Sequence, residues 1–209
     1  MPDFDEIAEK IHQEFEQRTA ARDRALAQAR TLTRHCAHAI RAIHRNEDDA
    51  SQEHLNEAGR LAQALQLELA CYPDLYHAGY TQDALKEYAE ARLVLALVRG
   101  RDIPGYAELQ LEPATYLQGL AEAAGELRRR CLDMLLNENP GEAQRLLGLM
   151  DEIYAILVTM DYPDGITGGL RRLTDVARSI VERTRGDLTL SLRQERLEHS
   201  LRRLESRLE

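Results

Sequence analysis

The sequence predicts an all-α protein, and three observations carry that reading. Leu, Ala, Glu, Arg and Gln dominate the 209 residues, a helix-forming composition. Gly and Pro are sparse, 12 and 6 in the whole chain, so long stretches run without a breaker. Apolar residues make up 44% of the chain and recur at helical spacing, while the alternation expected of strands is missing. No internal repeat, low-complexity block or linker divides the sequence. One helical domain over residues 1–209 is expected, with 195–209 as a C-terminal helical extension.

Charge and cysteine usage exclude several function classes. A net charge of −9 argues against a generic nucleic-acid coat. Only Lys10 and Lys86 among the 27 basic residues are lysine, and the rest are arginine, whose planar fork suits phosphate. Cys36, Cys71 and Cys131 lie far apart without a CxxC pair, which indicates neither a disulfide framework nor a zinc site. No segment approaches the roughly 18 uninterrupted apolar residues of a membrane span, and no signal peptide opens the chain. A soluble cytoplasmic protein with no membrane partner is therefore expected. A P-loop, a GxGxxG turn and a nucleophile elbow are all missing.

The first helix is expected from about Asp3 to Arg45, with Ala25, Ala29, Leu32, Cys36, Ile40 and Ile43 as its apolar stripe. Arg30, Arg34, Arg41 and Arg45 share a sector of about 60° on the opposite side of an ideal helix. Four arginines in one stripe reverse the local sign of an acidic chain and suit phosphate contacts. His35 and His38 bracket Cys36, but without a further ligand nearby they read as surface or interface residues. A second helix, about Asp49 to Cys71, carries Leu55, Leu61, Leu65 and Leu69, and Tyr72-Pro73-Asp74 stops it. Tyr72, Tyr76 and Tyr80 fill the connector that follows.

The central helix, Thr81 to Arg99, takes Thr81 as its N-cap and Asp83 in its first turn. Leu93 to Val98 is apolar on every side, so this helix must be buried. Glu87 and Glu90 stand about 60° apart on a face that continues through Ala91, Val94 and Val98. Burying two carboxylates costs several kcal/mol or forces protonation unless arginines, a hydrogen-bond network or a divalent cation compensates.

Pro104-Gly105 turns the loop Arg101 to Pro113, and a fourth helix covers Ala114 to Leu136. Leu117, Leu120, Ala124, Leu127, Cys131 and Leu135 form its apolar face, with Glu122, Glu126, Arg129 and Arg130 on the other side. Asn139-Pro140-Gly141-Glu142 is a helix start. The fifth helix, about Gly141 to Tyr162, places Asp151 on the face of Leu147, Tyr154 and Val158. A sixth begins at Leu170, and Gly186 either ends it or merely weakens one long helix to the C-terminus. The tail, Glu195 to Glu209, carries a leucine seam, Leu197, Leu201, Leu204 and Leu208, suited to a partner helix.

Four segments resemble one known family. Tyr116 to Arg130, YLQGLAEAAGELRRR, resembles the YL-x-GLAD-x-x-GEL-x-R signature of the translin family. Ala84 to Ala91, ALKEYAEA, resembles the EYVEA motif of its translin-associated factor X (TRAX) branch, prokaryotic type. Arg22 to Arg45 is similar to the family's first helix, and Leu170 to Arg193 to its closing helix with the TLSLR ending. The match covers roughly residues 15 to 193 in order. Lys86 before the motif, Ala89 for its valine and Glu122 for the aspartate of GLAD are departures.

The resemblance implies seven helices and homo-oligomers, usually of eight subunits, that close into a hollow shell and bind single-stranded RNA or DNA inside. For the TRAX branch it implies Mg²⁺-dependent RNA hydrolysis, with Mn²⁺ as an alternative ion. Mapped onto this chain, the catalytic carboxylates are Glu87, Glu90 and Asp151, and Glu126 joins them as a metal ligand. Arg30, Arg34, Arg41, Arg45, Arg129 and Arg130 are the expected nucleic-acid contacts. An endoribonuclease on single-stranded RNA is thus expected. The alternatives are a non-catalytic single-strand-binding scaffold of translin type and a plain helical adaptor.

Overall fold

Residues 4–208 are described in the computed structural model, and they form eight helices with no strand among them. These are α1 (Phe4–Arg45), α2 (Asp48–Glu68), α3 (Pro73–Tyr76), α4 (Gly79–Arg99), α5 (Pro113–Leu136), α6 (Pro140–Thr159), α7 (Asp164–Thr167) and α8 (Leu170–Leu208). The all-α expectation holds; α3 and α7 are single turns, which raises the implied count of seven to eight. Asp3, Glu209 and the side chain of Leu208 lie outside the described residues. No described helix is long and apolar enough to cross a membrane. The chain divides into two compact units, residues 1–92 and 93–209, and the division falls inside α4.

In the first unit α1 packs along α2. Ala21, Ala25, Ala29, Leu32, Cys36 and Ile43 form the buried face of α1, the helical stripe expected from their spacing. Leu55, Ala58, Leu61 and Leu65 form that of α2. Leu32, Ile43, Leu55 and Leu65 are fully buried, each contributing about 1.5–3 kcal/mol. Polar links flank the seam: Gln28 donates to Glu68 at 2.7 Å, and Arg18 pairs with Asp74 of α3. Gly59 lets α2 approach α4, since a Cβ there would stand 3.2 Å from the Tyr88 hydroxyl.

Thr81 does not cap α4. The helix begins two residues earlier at Gly79, and the buried Thr81 hydroxyl donates to the Leu75 carbonyl at 2.8 Å. Gln82 donates likewise to Tyr76 O at 2.8 Å, so the two side chains tie the α3 turn to the start of α4. Such side-chain bonds to a preceding turn compete with capping for the same hydroxyl.

In the second unit α5, α6 and α8 pack against one another. Asn139 caps α6 as expected, accepting from the Glu142 N–H at 3.2 Å. Arg145 holds Glu142 with two hydrogen bonds and donates to the Leu97 and Val98 carbonyls, both at 3.1 Å. It thereby satisfies carbonyls that the end of α4 leaves without an intrahelical partner. The same guanidinium holds the Glu142 carboxyl below the usual glutamate range.

The buried face of α6 takes in Leu146, Leu147, Met150, Ile153 and Leu157, so Leu147 of the expected stripe lies in the core while the rest of that stripe lies at or beyond its edge. Val158 faces solvent and Asp151 is half-buried. Gly186 ends nothing. The helix α8 runs unbroken through it to Leu208, anchored by the buried Thr184, which accepts from Arg128 at 2.9 Å and donates to Ile180 O at 2.7 Å.

The turn into α8 depends on Gly168, at φ +59°, where a Cβ would lie 2.6 Å from the Gln118 amide nitrogen. That amide donates to Thr167 O at 3.0 Å and Gly168 O at 2.9 Å. Gly168→Ala is therefore expected to cost about 1–2 kcal/mol for the left-handed backbone, with about 1 kcal/mol more if the amide is displaced. The midpoint of urea unfolding should fall accordingly; an unchanged midpoint would show that neither constraint is felt.

Candidate metal and nucleic-acid site

The carboxylates of α4 are placed by the residues around them. Ala84, Leu85, Tyr88, Ala89 and Ala91 are buried, so α4 lies with most of its circumference against protein. Glu90 has no solvent face to retreat to, and Glu87 has only a partial one. Glu90 is only 8% exposed, Glu87 is half-buried, and their carboxylate oxygens lie within 4.8 Å of each other. Lys86 stands 3.8 Å from Glu87, too far for a short ion pair.

On α1, Cys36 registers this charge. Its thiol is pushed far above the ordinary thiol range, first by burial and then by the negative charges of Glu87 and Glu90. The charge of the pair therefore reaches the apolar seam of the first unit.

Glu87 opens into a cleft of about 350 Å³ between α1 and α4, walled by Leu26, Ala29, Arg30 and Thr33 on one side and Tyr80, Asp83 and Ala84 on the other. Asp83 was read from sequence only as a first-turn residue. Asp83, Glu87 and Glu90 are in fact spaced i, i+4, i+7, one helical stripe, and that spacing was the available signal. The Tyr80 hydroxyl is buried and makes no hydrogen bond among the described residues. An orphaned buried hydroxyl costs about 1–3 kcal/mol, so a polar ligand or water in the cleft would be favoured. Oxygen donors of this kind suit a hard cation such as Mg²⁺, which takes one or two carboxylates and keeps several waters.

Arg30 brings positive charge to the rim of the same cleft. It is exposed, as are Arg34, Arg41 and Arg45 along α1, and none of the four pairs with a carboxylate among the described residues. Arg41 reaches only the Ala37 carbonyl at 3.3 Å and His38 at 3.2 Å. His35 meets His54 of α2 at 3.2 Å, and His38 stacks on the same ring, so both histidines are packing residues of the helix pair.

The remaining predicted residues belong to the second unit. Glu126 is half-buried, 3.8 Å from Arg129. Asp151 pairs with Arg185 of α8 at 2.6 Å. Arg129 is exposed but Arg130 is buried, which removes it from the solvent-facing surface where a phosphate contact was expected.

Comparison with known proteins decides the family. The crystal structure of AfC3PO superimposes with a TM-score of 0.82 at 30% identity, covering 88% of this chain and 96% of that one. The chain belongs to the translin/C3PO family. The complex of AfC3PO with duplex RNA matches with a TM-score of 0.77, also at 30% identity, over 88% of this chain and 95% of that one. Apo-NeC3PO shares the translin/C3PO fold with a TM-score of 0.81 at 20% identity, over 91% of this chain and 98% of that one. An uncharacterized protein of Methanocaldococcus jannaschii, MJ0175, is 32% identical over 188 residues, 89% of this chain and 83% of that protein. No protein-family model matches the chain.

The electrostatic tie between Cys36 and the two glutamates is testable without any ligand. Replacing Glu87 and Glu90 by Gln removes two of the causes that keep the thiol protonated and leaves its burial unchanged. Alkylation of Cys36 at pH 8–9, followed by mass spectrometry with the exposed Cys71 as internal reference, should quicken several-fold. Equal rates in parent and variant would place the glutamate charges elsewhere.

Proposed function

We propose that this chain is a metal-dependent endoribonuclease of the TRAX type, cutting single-stranded RNA within a hollow homo-oligomer of eight subunits in the cytoplasm. The observation that carries the proposal is the shared cleft: Asp83 and Glu87, on one helical stripe with Glu90, face Arg30 of α1 across about 350 Å³. Paired acidic and basic walls are what a phosphodiester with a bridging cation requires. The complex of AfC3PO with duplex RNA supports RNA as the ligand class, and it favours a second reading in which the RNA bound is double-stranded.

Glu87 and Glu90 are the core of the proposed Mg²⁺ or Mn²⁺ ligand set. Glu126 and Asp151 complete the set on the family resemblance alone, with Glu122, on the helix of Glu126, standing where the family signature has its aspartate. Asp151 comes last because it must first leave Arg185. When bound, such a cation supplies Lewis-acid polarisation of a phosphoryl oxygen and neutralises the charge developing there. Arg30 and its stripe hold the backbone in register without reading sequence. Single-stranded DNA, which carries the same phosphate backbone, is a further candidate ligand.

Labelled single-stranded and duplex RNA, each with Mg²⁺ and with chelator, test the proposal. Cleavage of the single strand should need the cation and should vanish in Glu87→Gln and Glu90→Gln, while RNA binding persists. Binding without cleavage in the parent would make the chain a non-catalytic scaffold.

Replacing Arg30, Arg34, Arg41 and Arg45 by Gln should weaken RNA binding. The log–log salt slope should fall by about 0.7 for each lost contact to a single strand. An unchanged slope would move the binding surface away from α1.

A further inference from the structure

Two helical arms project from the packed units, and their apolar seams are exposed among the described residues. The first is the start of α1, residues 4–17, every one of which is exposed. Phe4, Ile7, Ile11 and Phe15 line one side of it, 46 to 77% exposed, and they include both phenylalanines of the chain. The second is the end of α8, where Leu190, Leu197, Leu201 and Leu204 are 50 to 62% exposed. A surface helix has no reason to concentrate its largest apolar side chains on one edge unless that edge is covered.

The arms are opposite in charge. Residues 4–17 hold five carboxylates, Asp5, Glu6, Glu9, Glu14 and Glu16, against Lys10 alone. Residues 193–207 hold five arginines, Arg193, Arg196, Arg202, Arg203 and Arg207, against three glutamates. Helix dipoles favour this polarity, but only within the first and last turns. They leave Glu9, Glu14 and Glu16 on one arm, and Arg193 and Arg196 on the other, without an explanation. The arms also match in length, about 21 and 22 Å at 1.5 Å per residue. Both lie almost wholly outside residues 15–193, which carry the family resemblance.

We propose that the acidic α1 arm of one copy docks on the basic α8 arm of a second copy, seam to seam. Pairing unlike segments is a heterologous contact. It closes either as a reciprocal pair, each copy giving one arm of each kind, or as a ring. The seams supply buried apolar area, and the charges exclude the like pairings, acidic with acidic and basic with basic. The proposal stands apart from the nuclease reading, because its readout is mass and not RNA cleavage.

A charge swap on the full chain tests it, with light scattering over a dilution series and circular dichroism to confirm unchanged helix content. Glu14→Arg with Glu16→Arg should raise the concentration at which the assembly dissociates at least tenfold. Arg193→Glu with Arg196→Glu should do the same. Mixing the two variants, or combining all four changes in one chain, should restore the parent behaviour. The proposal is overturned if the α1 changes leave assembly untouched while the α8 changes disrupt it, because the α8 seams would then pair with each other. A monomeric parent, or a swap that fails to restore assembly, overturns it equally.

Discussion

Two carboxylates on a helix buried around most of its circumference constrain the first unit more than any other feature. Glu90 is nearly closed off from water, Glu87 half so, and α4 carries buried apolar residues on either side of both. The helix cannot rotate to release them without burying charge elsewhere and exposing Leu85 or Tyr88. Its position is held from several directions: Gly59 admits the Tyr88 ring, and Thr81 and Gln82 tie the helix start to α3. A rigid support of this kind is what a site on a helix needs, since ligand oxygens must keep their spacing when a cation comes and goes.

Around that constraint the charges sort themselves by side of α1. The buried side, with Ala29 and Cys36, meets the acidic field, and the thiol answers by holding its proton. The outer side carries four arginines with no carboxylate partner among the described residues, and Arg30 turns the corner into the cleft. An acidic protein thereby concentrates positive charge in one stripe. Arginine keeps that charge at any ordinary pH, because its guanidinium does not titrate there.

Much of this was legible in the sequence. The apolar period of α1, the Asn139 cap and the three-residue spacing of Glu87 and Glu90 are local signals, and each appears where its spacing put it. Non-local determinants were harder to read. The start of α4 slipped from Thr81 to Gly79 because the Thr81 hydroxyl found a carbonyl in α3. The buried face of α6 keeps Leu147 but not Val158 of the stripe through Asp151, since two neighbouring helices choose the face and the sequence alone offers more than one. Asp83 was hidden by the first-turn position expected of it with Thr81 as cap, which already explained a carboxylate there, and Arg130 by sitting in a run of three arginines of which only one is exposed.

The most direct test of the central claim is Mn²⁺ binding to the intact protein without RNA, followed by electron paramagnetic resonance. The parent should take up the ion at a saturable site that Mg²⁺ displaces, and Glu90→Gln should lose that site with its helix content unchanged. Equal Mn²⁺ uptake by parent and variant would contradict the claim that the buried pair on α4 exists to hold a cation.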